Sequence, residues 1–201
     1  ENNAQGKFDM IFTNPPFGAK VEVDIEIAKR YELNSKAPEV LFIEACYNFL
    51  KPGGKMAIVL PDGILGNPNT EEVRLWILKH FKLIASVDLP VETFLPQVGV
   101  QASLLFLQKK TDDEMLVPIE SEDYDVFMAI VEQVGKDRRG VPIYERDDDG
   151  AEILFPHVKR WLAYNEFGRE VVRSRNERIK RLADDLPKVA EAYRKFRFDK
   201  L

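Results

Sequence analysis

Asn14, Pro15, Pro16 and Phe17 are the consecutive residues in this sequence whose types and order could do chemistry. Asn14 offers a side-chain oxygen as acceptor, and the Pro15-Pro16 peptide has no N–H while its rings fix the direction of the Pro15 carbonyl. Two rigid acceptors side by side suit an amino group that carries two hydrogens. Phe17 adds a π-face for a planar ring, worth about 1–3 kcal/mol for a nucleobase, and Gly18 lets the backbone bend away at once. An isolated Asn-Pro pair is a common turn signal. Here an apolar run precedes it and an aromatic follows, which favours a site over a plain loop terminator.

The elements that must position these residues can be read along the chain. Residues 8–14 form a short β-favouring run that stops at Pro15, so the four residues sit at the carboxyl end of a strand, where open α/β sheets bind ligands. A short helix is expected within 24–30. Residues 38–50 are apolar on almost every side, with Pro38 at the start and Pro52-Gly53-Gly54 beyond the end, and predict a buried helix. Residues 55–60 predict a second strand. Thr70 is the expected cap of a helix over 71–81, and 84–89 is a third strand closed by Pro90. The connection from 90 to 100 is too short for a parallel crossover, so 101–109 should return antiparallel. Beyond it, 112–124 reads as an acidic linker, 124–134 has a weak helical period, 165–181 is charged and mostly helical, and a last helix follows Pro187.

The fold class is therefore α/β: a partial doubly wound sheet of three parallel strands plus one antiparallel, with a mostly helical C-terminal extension. The expected division is 1–111 and 112–201. Of 201 residues, 45% are hydrophobic and 31% charged, which excludes intrinsic disorder. No apolar run approaches the roughly 18–20 residues of a membrane span, so no membrane role is expected. The single cysteine, Cys46, cannot pair within the chain, which fits a reducing compartment and makes the cytoplasm the default. Residues 168–201 carry 11 Lys/Arg against 6 Asp/Glu, or +5, which leaves −10 for 1–167. An acidic body with a basic tail is a poor autonomous binder of polyanions.

FTNPPF after a strand, then FIEACYNFLKPGGKMAIVLPDGIL and VDLPVETFLPQVGVQASLLFLQK, resembles the second half of the catalytic domain of amino-group DNA methyltransferases. The resemblance is strongest to the modification subunits of type I restriction systems, which methylate adenine N6 with S-adenosylmethionine. It covers 8–110, and FMAIVEQVGKDRRGVPIY extends it with less specific motifs. It implies that Asn14 and the Pro15 carbonyl bind the adenine amino group and touch the reacting end of the cofactor. Phe17 would stack on a base flipped from the duplex, with Pro16 and Gly18 shaping the pocket. A second aromatic from the loop between the last two strands packs on the other face in that family. Phe94 is the candidate, and a core position in the loop is its equal alternative.

The resemblance also implies partners: DNA, a DNA-specificity subunit and a restriction subunit. The family's glycine-rich cofactor turn and ribose-binding acid lie upstream of the strand matched by 8–14. The chain is thus expected to hold the target-base half of a site, to be inactive alone, and to bind S-adenosylmethionine weakly or not at all. Its first strand should expose an edge that promotes homo-oligomers.

Other features are weaker. Lys51-Pro52-Gly53-Gly54 reads as a helix stop rather than a phosphate cradle. Asp62 either lines the cleft or caps a turn. Lys136–Arg139 and Arg173, Arg175, Arg178, Lys180 and Arg181 either touch phosphates or form a solvated helix face. His80 and His157 have no partners at ligand spacing, so no metal is expected. Two other functions stay open: an amino-group methyltransferase on protein glutamine or RNA, and a non-catalytic module that docks to a specificity subunit.

Overall fold

The computed structural model describes residues 5–17, 23–33 and 35–198. In chain order the elements are β1 (Phe8–Thr13), α1 (Ile25–Ala28), α2 (Pro38–Phe49), β2 (Leu50–Pro61), α3 (Asp62–Gly66), α4 (Glu71–His80), β3 (Phe81–Leu89), β4 (Ala102–Lys109), α5 (Asp112–Met115), β5 (Phe127–Ile130), β6 (Leu154–Tyr164), β7 (Glu170–Lys180) and α6 (Leu186–Phe198).

Five strands form one sheet in the order β1-β2-β4-β3-β5. β1 lies parallel to β2, and β4 runs antiparallel to both β2 and β3. The reversal follows from the short connection after Pro90, as the sequence predicts. A fifth strand, β5, adds in parallel beside β3. One row of side chains crosses all five strands as Phe12, Ala57, Phe106, Ala85 and Phe127, alternating large and small.

Each face of the sheet is packed. On one, Val40, Ile43 and Cys46 of α2 and Trp76 and Ile77 of α4 meet Met56, Ile58, Leu60, Leu105 and Leu107. Each such side chain contributes about 1.5–3 kcal/mol on leaving water. Burial pushes the Cys46 thiol up to about 11, which keeps it protonated and unreactive at neutral pH. On the other face Val87, Leu89 and Val131 gather Val59, Phe94, Leu104, Phe106 and Val189, the last from α6. Phe127 meets Tyr193 and Phe196 of α6 with ring centroids 5.4 and 5.5 Å apart.

Several expectations are corrected. The segment 165–181 is not helical: most of it is β7, paired along its whole length with β6 in an antiparallel ribbon. The apparent helical period at 124–134 contains β5. The linker is ordered, with α5 opened by a capping box in which the Thr111 hydroxyl accepts from Glu114 N and the Glu114 carboxylate from Thr111 N. The last helix stands as expected. Lys51-Pro52-Gly53-Gly54 falls inside β2, where the register to β1 jumps between Phe8 and Met10. Gly54 is required there, since an added Cβ would lie 2.9 Å from the Lys51 carbonyl oxygen and 3.2 Å from that of Phe8. Thr70 does not cap α4. Its hydroxyl donates instead to carbonyls of the preceding turn, including Ile64 at 2.9 Å and Asn67 at 2.8 Å.

His80 shows how the core responds to pH. Its ring stacks on Trp76 at 4.1 Å, and Nδ1 lies 2.8 Å from the Trp76 carbonyl oxygen. Burial holds its pKa below the usual imidazole value, opposed by that hydrogen bond. In the unfolded chain His80 takes up its proton first as pH falls, so the stability it contributes is present above about pH 6.5 and is lost below it. Thermal melts should therefore fall between pH 7.5 and 5.5, and His80→Gln should flatten that slope. An unchanged slope would remove His80 as the cause.

Candidate active site

The β1 ladder ends at Thr13, paired with Ile58, and the next residue is Asn14. Proline at 15 cannot donate to a ladder, so the chain must leave the sheet here. Asn14 is exposed, Pro15 is fully buried, Pro16 is exposed and Phe17 is half-buried. Pro15 thus acts as the anchor that holds Asn14 at the rim. Neither the Asn14 side chain nor the Pro15 carbonyl accepts a hydrogen bond from a described residue. Gly18 lies outside the described residues.

Phe94 closes the 3₁₀ turn of the β3–β4 connection. It packs against the second core cluster, and its ring meets Phe17 edge to face with centroids 5.4 Å apart. The two aromatics nominated from sequence are thus neighbours. The ring rests on the core, as the core alternative for Phe94 expects, and it also touches Phe17.

The loop that carries Phe94 is braced from the distant chain. Lys136 Nζ donates to the Leu95 carbonyl at 3.0 Å, and Arg138 Nε donates to the Glu92 carboxylate at 3.0 Å. That hydrogen bond leads the causes holding the Glu92 carboxyl below its usual range. The Lys136–Arg139 cluster lies in no helix, although Arg138 and Arg139 stay largely exposed. It includes positioning residues for the loop, a role that only the fold could show. Residues 32–33, ahead of α2, are fastened as well. The buried Glu44 carboxylate accepts from Glu32 N at 2.7 Å and Leu33 N at 3.1 Å, and Trp76 Nε1 donates to Glu32 at 2.9 Å.

Asp62 follows β2 at the same end of the sheet. Ser103 Oγ donates to its carboxylate at 3.3 Å, and burial followed by the charge of Asp88 raises its pKa, with the Ser103 bond opposing. Asp88 accepts from Gln101 Nε2 at 3.4 Å. The Asp62 side chain makes no cap hydrogen bond to α3. Ser103, Asp88 and Gln101 went unseen in the sequence because their only signal is position at strand ends. Among the described residues no three His, Cys, Asp or Glu side chains are grouped to hold a metal ion.

A family model described as N-6 DNA methylase matches residues 1–139. The chain belongs to the N-6 DNA methylase family. The chain is 33% identical over 102 residues to the type I restriction enzyme EcoEI methylase subunit of Escherichia coli, covering 50% of this chain and 21% of that one. It is 31% identical over 107 residues to the EcoKI methylase subunit of Escherichia coli strain K12, covering 52% and 20%. The chain thus spans about a fifth of the length of these curated relatives. Among solved structures, a class I S-adenosylmethionine-dependent methyltransferase, described as putative, from Listeria monocytogenes shares 27% identity at a TM-score of 0.52, covering 65% of this chain and 38% of that one. The sheet of this chain is accordingly part of an S-adenosylmethionine-dependent methyltransferase fold.

Proposed function

We propose that this chain carries the target-base side of a DNA methyltransferase site. In this reading a methyl group passes from S-adenosylmethionine to the N6 amino group of an adenine flipped out of the duplex. The polypeptide serves as the modification subunit of a type I restriction-modification system. One observation supports the reading: two acceptors, on Asn14 and Pro15, that take no hydrogen bond from a described residue, at the carboxyl end of a strand with the Phe17 ring beside them.

The chemistry follows from those groups. An adenine amino nitrogen is a poor nucleophile because its lone pair is delocalised into the ring. Hydrogen bonds from its two N–H groups to Asn14 and Pro15 favour a pyramidal nitrogen with a localised lone pair. Positioning supplies most of the help, and no general base of shifted pKa is needed at the outset. S-adenosylmethionine supplies an electrophilic methyl carbon on a sulfonium. The described residues fit the reacting end of that molecule through Asn14 and Pro15. They do not fit its nucleoside end, since no glycine-rich turn follows a strand among them. This chain by itself is accordingly inactive in the proposal, and a DNA-specificity subunit and a restriction subunit complete the system.

The test is methyl transfer by the full-length polypeptide that bears this sequence, with its specificity partner, on adenine-containing duplexes beside an Asn14→Ala variant. Loss in the variant supports the reading. Retained transfer places the chemistry elsewhere, and transfer to protein glutamine or RNA alone would move the substrate class.

The edge position of β1 extends the proposal to assembly. Met10 is 53% and Phe12 72% exposed on a strand with one unpaired edge, and such edges promote association. Light scattering of this chain is expected to show a homodimer with slow amide exchange over 8–13. A monomer with rapid exchange there would exclude it.

A further inference from the structure

The chain's positive charge is concentrated on one element. Residues 154–181, the β6–β7 ribbon with its turn and Arg181, hold eight Lys/Arg and three Asp/Glu, or +5, against −10 for the remainder. Each strand has 11 residues, and each packs chiefly on the other. An isolated two-stranded ribbon is only marginally stable in water. Both faces of this one are exposed, with Trp161 at 41% and Leu162 and Val172 above 65%.

The register decides what kind of surface this is. Directly paired residues share a face, which sets Lys159 opposite Arg175 and Trp161 opposite Arg173 on one side, and Pro156 opposite Arg178 and Arg160 opposite Ser174 on the other. Like charges directly opposite destabilise a ladder. Among the described residues Arg175 is engaged along its own strand, by Glu177 at 2.9 Å. Lys159, Arg160, Arg173 and Arg178 form no ion pair among the described residues. The base is secured separately: Lys180 pairs with Glu152 at 2.5 Å, and the Arg181 guanidinium lies 3.9 Å over the Phe155 ring. The ribbon is thus fixed at its root and carries along its shaft four cations outside any ion pair among the described residues, Lys159 being offset in part by the charge of Glu177.

We infer that the β6–β7 ribbon is a contact surface for duplex DNA, separate from the Asn14 site, with its cations on phosphates. At roughly 3.4 Å per residue it spans about one turn of duplex, and the B-form major groove admits a two-stranded ribbon whereas the A-form groove does not. The choice of DNA as the polyanion rests on the reading above, while the charge argument stands without it. The acidic remainder keeps the contact local to the ribbon.

The experiment is fluorescence anisotropy of a labelled 30-base-pair DNA titrated with the whole 201-residue chain at 50 and 200 mM salt. The variant Lys159→Gln/Arg160→Gln/Arg173→Gln/Arg178→Gln should bind at least tenfold more weakly at the lower salt. Its slope of log K against log salt should be smaller by about 3.6, since each phosphate contact contributes about 0.9. The matched variant Lys188→Gln/Arg194→Gln/Lys195→Gln/Arg197→Gln on α6 should bind as the unaltered chain does. Circular dichroism checks folding, and Lys159→Gln/Arg160→Gln alone, expected to lower the slope by about 2, serves if the fourfold variant unfolds. No binding by the unaltered chain, an unchanged slope in the ribbon variants, an equal loss in the α6 variant, or tighter binding to duplex RNA would each overturn the inference. The readout is binding alone, so methyl transfer lost or kept in Asn14→Ala leaves it intact.

Discussion

Asn14→Ala should lower kcat for methyl transfer by about 10²- to 10³-fold in the full-length polypeptide with its partner, with little change in KM for DNA. The size follows from removing one preorganised hydrogen-bond partner from a group whose charge changes in the transition state. The split follows from where the interaction acts. In the proposed function Asn14 binds the amino nitrogen most strongly when that nitrogen has become pyramidal, so its loss affects the transition state more than the bound duplex. The variant should fold normally, because Asn14 is exposed and its side chain bonds to no described residue, while the buried anchor, Pro15, is retained. Steady-state kinetics with a thermal melt beside them make the check. A rise in KM with kcat unchanged would reassign Asn14 to substrate binding alone.

Glu122→Ala should destabilise the fold by about 3–5 kcal/mol, the range for leaving a buried charge without its partner. Lys110 is 1% exposed, donates to the Leu78 carbonyl at 2.5 Å and is ion-paired with Glu122. Removing Glu122 strands an ammonium group between β4 and α4. For a chain of this length each kcal/mol corresponds to about 2–4 °C in Tm, so the fall should be about 6–20 °C. The double variant Lys110→Met/Glu122→Leu removes both charges and should recover most of the loss. If both variants melt alike, the cost comes from packing rather than from the charge. Calorimetric scans of the three proteins separate these outcomes.

The sheet was legible because its strands are apolar and end at prolines. Residues 8–14, 55–60 and 84–89 are all closed that way, and the length of the connection after Pro90 alone set the direction of β4. β5 escaped because its outward residues, Met128 and Ile130, are themselves apolar, which removes the alternation that marks a half-buried strand. The β6–β7 ribbon escaped for the opposite reason. With both faces in water it has no apolar period, and its Arg and Glu content favours helix on propensity. The turn offered a usable signal: Asn165 accepts from Phe167 N and Arg169 N, and Gly168 adopts φ +70°. At the site, the Asn14–Phe17 segment is local in sequence and could be read there. The bracing by Lys136 and Arg138 joins residues some forty positions apart and could not.

The perpendicular rings of Phe17 and Phe94 close on one another, leaving no slot for a third ring between them. A base stacking on Phe17 must therefore trade one aromatic contact for another. Parting the pair gives up about 0.5–1.5 kcal/mol, and stacking a nucleobase returns about 1–3 kcal/mol. For a flat heteroaromatic guest the exchange is close to even or favourable, while an aliphatic guest breaks the contact and receives nothing comparable. In the proposed function the aromatic pair is thus a turnstile that admits by planarity, on a loop that Lys136 and Arg138 hold from more than forty residues along the chain.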